Sequence, residues 1–293
     1  MARCLLFGRQ GQLGHAICGS DWFEGGVALG RSECDLEDPD AVRAAIRKVR
    51  PEIVVNAAAY TAVDRAEDEP ERAHAINANA PAIMAEEVAA IGSRLIHYST
   101  DYVFDGTGPA PYRETDPVAP LSVYGATKRA GEEAIVASGA DAVILRTAWV
   151  YSAEGANFAK TMLRLGRERD RLTIVDDQYG APTSASWLAA VAGRFAADPG
   201  QLAAGLYHCT ADGQTTWHAY AIYFLECCRE AGIELAIGPE AVLPIATADF
   251  PTKARRPANS VLDCSKLEKT LGVSMPPWRN GVRDLAFQLA KEQ

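Results

Sequence analysis

The sequence lacks the long apolar runs and paired cysteines that mark membrane proteins and disulfide-linked scaffolds. No uninterrupted apolar stretch approaches the roughly 18 residues that a membrane-spanning helix requires. The opening MARCLLFG runs into a glycine-rich turn and does not resemble a signal peptide. The seven cysteines are odd in number and scattered, without a CxxC pair, which argues against a disulfide framework or a zinc site. We therefore predict a cytoplasmic protein with reduced thiols and no membrane association.

Positive charge is also scarce. The 29 Lys and Arg residues are outnumbered by 38 Asp and Glu residues, so the formal net charge is −9. A chain this acidic is a poor candidate for a nucleic-acid surface, and an anionic ligand would need local hydrogen-bond donors. Hydrophobic residues make up 48% of the chain, which is enough for a sizeable core. The composition thus favours an ordinary globular protein.

Strands and helices alternate through the first half of the sequence. We predict strands at 4–7, 27–29, 53–55, 94–98 and 142–145, and helices at 14–20, 39–50, 70–91 and 123–138. This alternation predicts an α/β fold with a Rossmann-like, doubly wound parallel sheet and helices on both of its faces. The second half is less regular and rich in proline, which favours a smaller C-terminal substrate-binding lobe of short elements.

A glycine-rich turn, Gly8-Arg9-Gln10-Gly11-Gln12-Leu13-Gly14, follows the first predicted strand. Glycine permits the tight turn and the close approach to a pyrophosphate that a dinucleotide site needs, and the next helix offers free N–H groups. The second strand ends at Gly30-Arg31, where NAD sites usually carry an acidic residue. Arg31 can instead accept a 2′-phosphate, so we favour NADPH and leave NADH open; the alternative is that Arg31 is a solvated surface residue.

Tyr124 and Lys128 form a Tyr-x-x-x-Lys pair near the start of a predicted helix, and Thr100 ends the fourth strand. The spacing puts the tyrosine and lysine side chains on one helix face. We expect the ammonium and an oxidised nicotinamide to lower the pKa of the Tyr124 phenol, which then protonates a carbonyl oxygen as hydride reaches the carbon. Thr100 can hydrogen-bond the same oxygen, and Lys128 can bind the nicotinamide ribose.

These motifs, with Asn56-Ala57-Ala58-Ala59, resemble the extended short-chain dehydrogenases/reductases. Later segments, including Asp177-Gln178-Tyr179-Gly180-Ala181-Pro182-Thr183 and Arg256-Pro257-Ala258-Asn259-Ser260, resemble more narrowly the dTDP-4-dehydrorhamnose reductase family, with coverage from residue 5 to about 280. The resemblance implies that hydride passes from NAD(P)H to C4 of dTDP-4-dehydro-L-rhamnose. The partner would then be a small-molecule sugar nucleotide.

The resemblance also assigns residues to roles. It implies that Thr100, Tyr124 and Lys128 are catalytic. The cofactor-lining residues it implies are Gly11, Gln12, Leu13, Asp35, Leu36, Ala58, Ala59 and Thr61, beside Gly8, Gly14 and Arg31. It places Thr100, Asp101, Tyr102 and Trp149 at the sugar nucleotide, although Trp149 can equally be a core residue. Arg256 can bind the substrate pyrophosphate through bidentate hydrogen bonds, or lie solvated beside Arg255.

The domain division follows from these assignments. We predict that residues 1–151 and about 172–205 form the NAD(P)-binding Rossmann-like domain, and that about 152–171 and 206–293 form the sugar-nucleotide-binding lobe. Some members of the family are described as homodimers linked by Mg²⁺ on acidic side chains. Here Gly14 is followed by His15, Ala16 and Ile17, none of them acidic. We therefore assign no metal ligand, and leave a homodimer and Mg²⁺ open.

Two other functions remain open at this stage. A sugar-nucleotide 4,6-dehydratase or epimerase shares the superfamily, but dehydratases typically carry Asp then Glu after the strand-four Thr, whereas Thr100 is followed here by Asp101 and Tyr102. A non-catalytic subunit is the second alternative, because the regulatory subunit of a eukaryotic methionine adenosyltransferase resembles these reductases. Fold does not fix function, so turnover must separate them.

Overall fold

The computed structural model describes residues 3–292. The strands of this part are β1 (Cys4–Phe7), β2 (Val27–Leu29), β3 (Ile53–Asn56), β4 (Arg94–Thr100), β5 (Asp141–Thr147), β6 (Val150–Tyr151), β7 (Leu172–Val175), β8 (Tyr179–Gly180), β9 (Thr183–Ser184), β10 (Gly205–His208), β11 (Thr215–Thr216) and β12 (Val242–Ile245). The α-helices are α1 (Gln12–Cys18), α2 (Pro39–Val49), α3 (Val63–Ala66), α4 (Pro70–His74), α5 (Ala80–Ile91), α6 (Val123–Ala137), α7 (Phe158–Glu168), α8 (Ala185–Ala197), α9 (Trp217–Glu230), α10 (Ser265–Leu271) and α11 (Trp278–Lys291).

Six strands of the described chain form one parallel sheet in the order β10-β5-β4-β3-β1-β2. The predicted α/β fold with a doubly wound parallel sheet is confirmed. After β2 the chain returns to the other side of β1 as β3, so the direction of winding reverses at β1. Ligands of open parallel sheets bind outside the carboxyl ends of the strands at such a reversal.

The core lies on both faces of this sheet, because successive residues of a strand point to opposite sides. Leu5 belongs to an apolar cluster with side chains of α2, α5 and α6, whereas Leu6 belongs to a cluster with side chains of α1, α8 and α10. All four residues of β1 are buried, as expected of a strand covered by helices on both faces.

A third apolar cluster is built mainly from α7, α9 and α11, with Met162, Phe224 and Leu285 among its buried residues. Two strands do not lie in the domain to which the predicted boundaries assign them. β7, expected in the nucleotide-binding domain, pairs with β12 and packs on the third cluster through Leu172 and Ile174. β10, mostly assigned to the lobe, pairs with β5 in the main sheet. The division into two domains otherwise stays a prediction.

The predicted helix over 70–91 is interrupted. A turn of π-helix at Ala75–Asn79 separates α4 from α5. Within this turn the Asn77 side chain accepts a hydrogen bond from the Tyr60 backbone N–H (2.8 Å) and donates one to the Tyr60 carbonyl (3.1 Å). The interruption therefore has a visible cause, since the widened turn directs a polar side chain into the loop after β3.

A buried ion pair joins α6 to β5. The Arg146 guanidinium donates two hydrogen bonds to the Glu132 carboxylate, at 2.8 and 2.7 Å, and the two side chains are only 1% and 3% exposed. Removing one member of such a pair leaves an uncompensated charge in the core, whereas replacing both by apolar residues is often tolerated.

We expect Glu132→Leu to lower the free energy of unfolding by about 3–5 kcal/mol, and the double variant Glu132→Leu/Arg146→Met to recover most of that loss. Urea unfolding measures both. The control is Glu168→Ala, which removes the exposed pair with Arg164 and should cost less than about 1 kcal/mol. Equal losses in Glu132→Leu and Glu168→Ala would contradict this account.

Candidate active site

A cleft of about 630 Å³ lies over the carboxyl ends of β1, β3 and β4, where the winding of the sheet reverses. Most of the predicted cofactor residues line it: Gly8, Gly11, Gln12, Leu13, Arg31, Asp35, Leu36, Ala58, Ala59, Thr61, Tyr124 and Lys128. Gly14 is buried and is not part of this lining. The predicted set is therefore brought together in space, while its role in binding a cofactor stays a prediction.

The glycine-rich turn is shaped by close backbone contacts. Gly8 has a φ of +98°, and a Cβ there would lie 2.7 Å from the Ala58 nitrogen. A Cβ at Gly14 would lie 2.0 Å from the Gly8 carbonyl oxygen, so only glycine lets α1 start this close to β1. Gly11 precedes α1 without a side-chain cap. The turn thus offers open backbone and uncapped N–H groups of the kind that a pyrophosphate fits.

Two hydroxyl groups in the cleft lack a partner. Ser99 Oγ and Thr147 Oγ1 are buried and have no hydrogen-bond partner within residues 3–292. Buried hydroxyl groups are normally satisfied, so these two suit a polar ligand at the inner end of the cleft. The sequence did not reveal them, because a serine and a threonine at strand ends look like ordinary turn residues.

Arg31 lies at the other end of the cleft, after β2, and carboxylates surround it. Its guanidinium donates to Asp35 (3.3 Å) and to Glu37 (2.7 Å), and Glu37 also binds Arg72 (2.9 Å). Arg65 and Arg72, which the sequence did not single out, also line the cleft. An approaching 2′-phosphate would have to share Arg31 with these acids, and the 2′-phosphate role of Arg31 stays a prediction.

The start of α6 packs tightly on the loop after β4. Ser122 caps the helix by accepting a hydrogen bond from the Gly125 N–H (3.2 Å), and a Cβ at Gly125 would lie 2.2 Å from the Tyr102 carbonyl oxygen. This close approach brings the Tyr124 side chain next to the Thr100 hydroxyl. The predicted catalytic hydroxyl groups are therefore adjacent.

Burial shifts the pKa values of Tyr124 and Lys128. Lys128 is 2% exposed, and its Nζ donates to the Tyr98 carbonyl at 2.6 Å. Burial lowers the pKa of Lys128 to about 8, against the opposing charge of Glu132. Burial raises the pKa of Tyr124 to about 12, although the neighbouring Thr100 hydroxyl opposes this.

The lowering of the Tyr124 pKa by Lys128 together with an oxidised nicotinamide stays a prediction. In the protein by itself desolvation of the half-buried phenol is the largest influence and raises the pKa, and the charge of Asp101 adds to it. The amine of Lys128 donates to the Tyr98 carbonyl. Tyr124 therefore holds its proton at neutral pH and is an acid, not a phenolate.

The predicted substrate residues Asp101, Tyr102 and Arg256 lie beyond Tyr124. Thr100 Oγ1 donates to Asp101 Oδ1 (2.9 Å), and the Tyr102 and Tyr124 rings meet edge to face at 5.7 Å. Arg256 hydrogen-bonds the Tyr102 side chain and donates to Asp64 at 2.6 Å. These groups form a polar wall next to the catalytic hydroxyl groups, and their part in substrate binding stays a prediction.

Trp149 lies apart from the cleft lining, just after β5. Its backbone has a φ of +48°, and its ring stacks on Trp217 with the centroids 3.5 Å apart. A Cβ at Gly180 would lie 2.5 Å from the same ring. Trp149 thus packs against the third cluster, which agrees with the alternative that it is a core residue. Its contact with a sugar stays a prediction.

Neither a metal cluster nor a membrane span is found in the described chain. Among residues 3–292, no group of three or more His, Cys, Asp or Glu residues is arranged to hold a metal ion. In the same range, no helix is both long and apolar enough to cross a membrane. His15 is an exposed residue on α1, 3.9 Å from Glu154.

Asp101 offers a test of the electrostatics of the site. Its carboxyl is 3% exposed, and burial raises its pKa to about 6 from an ordinary value of 3.8. A raised pKa means that the folded state disfavours the charged form. The resulting loss of folding stability is absent below the ordinary pKa, grows as the pH rises from about 4 to about 6, and is constant above that.

We expect Asp101→Asn, which keeps the acceptor for Thr100, to gain stability over the native chain as the pH rises from 4 to 6, by at most about 3 kcal/mol. Chemical unfolding at a series of pH values measures the difference. Asp105→Asn is the control with the opposite sign, because hydrogen bonds from Thr107 lower the pKa of Asp105. A difference for Asp101→Asn that does not change with pH would refute the assignment.

The chain is similar over its whole length to one family of enzymes. The family model described as RmlD substrate binding domain matches residues 2–290. The dTDP-4-dehydrorhamnose reductase of Shigella flexneri is 45% identical over 293 residues, covering 97% of each chain, and that of Burkholderia thailandensis is 42% identical, covering 98% of this chain and 100% of that one.

Solved structures agree with this similarity. A dTDP-4-dehydrorhamnose reductase from Bacillus anthracis, in complex with NADP, superposes with a TM-score of 0.90 at 31% identity, covering 98% of this chain and 99% of that one. The corresponding enzyme from Clostridium acetobutylicum gives a TM-score of 0.89 at 34% identity with the same coverage. The protein therefore belongs to the RmlD substrate binding domain family.

Proposed function

We propose that the protein is an NAD(P)H-dependent reductase that converts dTDP-4-dehydro-L-rhamnose to dTDP-L-rhamnose by reducing the C4 keto group. The observation that carries this proposal is the half-buried Tyr124, which lies next to Thr100 and lines a cleft suited to a dinucleotide. The names of relatives 42–45% identical over nearly the whole chain support the choice of substrate.

The cofactor we propose is a nicotinamide dinucleotide, which supplies the hydride. The glycine-rich turn would receive its pyrophosphate, because Gly8, Gly11 and Gly14 leave backbone open where side chains would intrude. Ser99 and Thr147 would supply hydroxyl groups at the inner end, where Lys128 also lies. We favour NADPH over NADH because Arg31 follows β2 where NAD sites carry an acid, and the Bacillus anthracis relative is described with NADP.

The reaction requires this chain to supply an acid and a hydrogen-bond donor that orients the C4 oxygen. With its pKa raised to about 12, Tyr124 keeps its proton through the neutral range and gives it to the C4 oxygen as negative charge develops there. Thr100 lies beside Tyr124, and its single hydroxyl proton, which goes to Asp101 in the protein by itself, would turn to the same substrate oxygen in the complex. Beyond them, Arg256 carries the positive charge that a substrate pyrophosphate requires.

Several parts of the proposal concern the setting of the reaction. We place it in the cytoplasm, where the scattered cysteines would stay reduced. The resemblance leaves open a homodimer and a requirement for Mg²⁺. Equilibrium sedimentation would decide the first, and turnover with and without Mg²⁺ would decide the second.

The first test is the loss of NADPH absorbance when the protein meets dTDP-4-dehydro-L-rhamnose, with the product identified by mass. We expect Tyr124→Phe to lower turnover by about 10²-fold or more, because the proton donor is lost, while NADPH binding followed by fluorescence changes little. The control is Tyr223→Phe, whose hydroxyl donates to the Arg279 carbonyl on a different part of the molecule. Near-native turnover of Tyr124→Phe would remove Tyr124 from the proposed role.

Cofactor preference has its own test. Replacing Arg31 by Ala should lower the ratio of kcat/KM for NADPH to that for NADH by roughly 10-fold or more, because a charge-assisted hydrogen bond to the 2′-phosphate is lost. Arg164→Ala is the matched control, since Arg164 is also an exposed arginine paired with a carboxylate. An unchanged ratio in Arg31→Ala would show that the residue does not read the 2′-phosphate.

A further inference from the structure

The loop of residues 152–156, between β6 and α7, forms one rim of the cleft, and we refer to it as the rim loop. Gly155 and Ala156 line the cleft together with Gly11 and Gln12 of the glycine-rich turn. The last three residues of the rim loop are exposed. Because an exposed segment gains little from packing, the position of the rim loop depends on the polar contacts at its ends.

The Gln12 side chain joins the start of α1 to the rim loop. Its Oε1 accepts hydrogen bonds from Asn157 Nδ2 at 2.8 Å and from Ser152 Oγ at 3.4 Å. Its Nε2 donates to the Val150 carbonyl at 3.4 Å. The bond from Asn157 is the shortest of the three, so it is the main link between the turn and the loop.

Asn157 is oriented for this contact by its place at the start of α7. Its Oδ1 caps the helix by accepting a hydrogen bond from the Lys160 N–H at 3.0 Å. The amide nitrogen therefore faces the other way, where it donates one proton to Gln12 Oε1 and one to the Ser152 carbonyl at 2.7 Å. Asn157 thus holds the rim loop to the helix behind it and to the turn in front of it.

We propose that Asn157 is a positioning residue for the cofactor: through Gln12 it holds the rim loop beside the glycine-rich turn and slows the dissociation of a bound dinucleotide. The proposal rests on the proposed function, because a dinucleotide whose pyrophosphate lies on that turn borders the rim loop. Another contact between α1 and the rim loop joins His15 to Glu154. It is 3.9 Å long and exposed at both ends, so it contributes little.

The link acts on the residence of the cofactor and not on the transfer of hydride. It lies at the start of α1 and of α7, whereas Tyr124 and Thr100 belong to α6 and β4. A loosened rim loop therefore changes how long a dinucleotide stays in the cleft. A reductase exchanges its cofactor once per turnover, so this residence time bears on its rate.

Asn157→Ser separates the link from the helix cap. Serine caps helices as well as asparagine does, and Ser184 caps α8 of this protein by accepting from the Trp187 N–H. The serine side chain has no amide group to donate to Gln12. We expect NADPH, displaced by excess NADP⁺ and followed by fluorescence, to leave Asn157→Ser about 3- to 10-fold faster, as loss of one hydrogen bond implies. The control is Asn280→Ser, the same exchange at an exposed position, which should keep the native rate.

Further readouts separate positioning from a general loss of structure. Single-turnover hydride transfer with saturating NADPH and sugar nucleotide should keep its native rate in Asn157→Ser. Gln12→Leu should also speed the dissociation of NADPH, and the double variant should release it about as fast as Gln12→Leu alone, because the shared bond is lost only once. Hydrogen–deuterium exchange without cofactor should be faster in the rim loop of Asn157→Ser and unchanged within α7.

A native dissociation rate in Asn157→Ser, unaltered exchange of its rim loop, or effects that multiply in the double variant would overturn the proposal. If Asn157→Ser does not fold, Asn157→Asp gives the same test, since its carboxylate keeps the cap and has no proton to donate. Dissociation is measured without the sugar. A chain that retains NADPH through this link and reduces no sugar nucleotide would therefore contradict the proposed function alone.

Discussion

The packing of α6 against the carboxyl end of β4 is the contact on which the rest of the site depends. Two glycines allow it, since a Cβ at Gly125 or Gly131 would lie 2.2 Å from a backbone oxygen of Tyr102 or Asn77. Two buried polar contacts then fix the rotation of the helix: Lys128 binds the Tyr98 carbonyl, and Glu132 binds Arg146. A helix held on both sides in this way keeps Tyr124 beside Thr100.

The same burial sets the chemistry of the site. Desolvation shifts the pKa of each buried group toward its neutral form, and it is the largest influence on Tyr124, Asp101, Lys128 and His97. The raised pKa of Tyr124 suits a reaction in which negative charge develops on a substrate oxygen and is removed by a proton. The positive charge for an anionic substrate stands further out, at Arg256, where its partner Asp64 is nearly half exposed.

Much of the framework could be predicted because the strands of the first half are apolar runs bounded by turns. The glycine-rich turn and the Tyr124–Lys128 pair also have local signatures that place them on one cleft. Other features depend on contacts distant in sequence. The π-turn at Asn77 serves Tyr60, the Trp149 ring stacks on Trp217, and the direction of the Tyr124 pKa follows from burial, which no local pattern reveals. Likewise, Asn157 looks like an ordinary helix cap until the fold brings Gln12 against it.

The central claim is that hydride passes from the nicotinamide to C4 of the sugar while Tyr124 supplies the proton. The most direct measurement uses NADPH carrying deuterium at the transferring position of nicotinamide C4, with dTDP-4-dehydro-L-rhamnose as substrate, and locates the label by mass spectrometry and NMR. The account predicts dTDP-L-rhamnose with one deuterium, at C4. A product without deuterium, deuterium at another carbon, or no consumption of either NADPH or NADH by folded protein would contradict it.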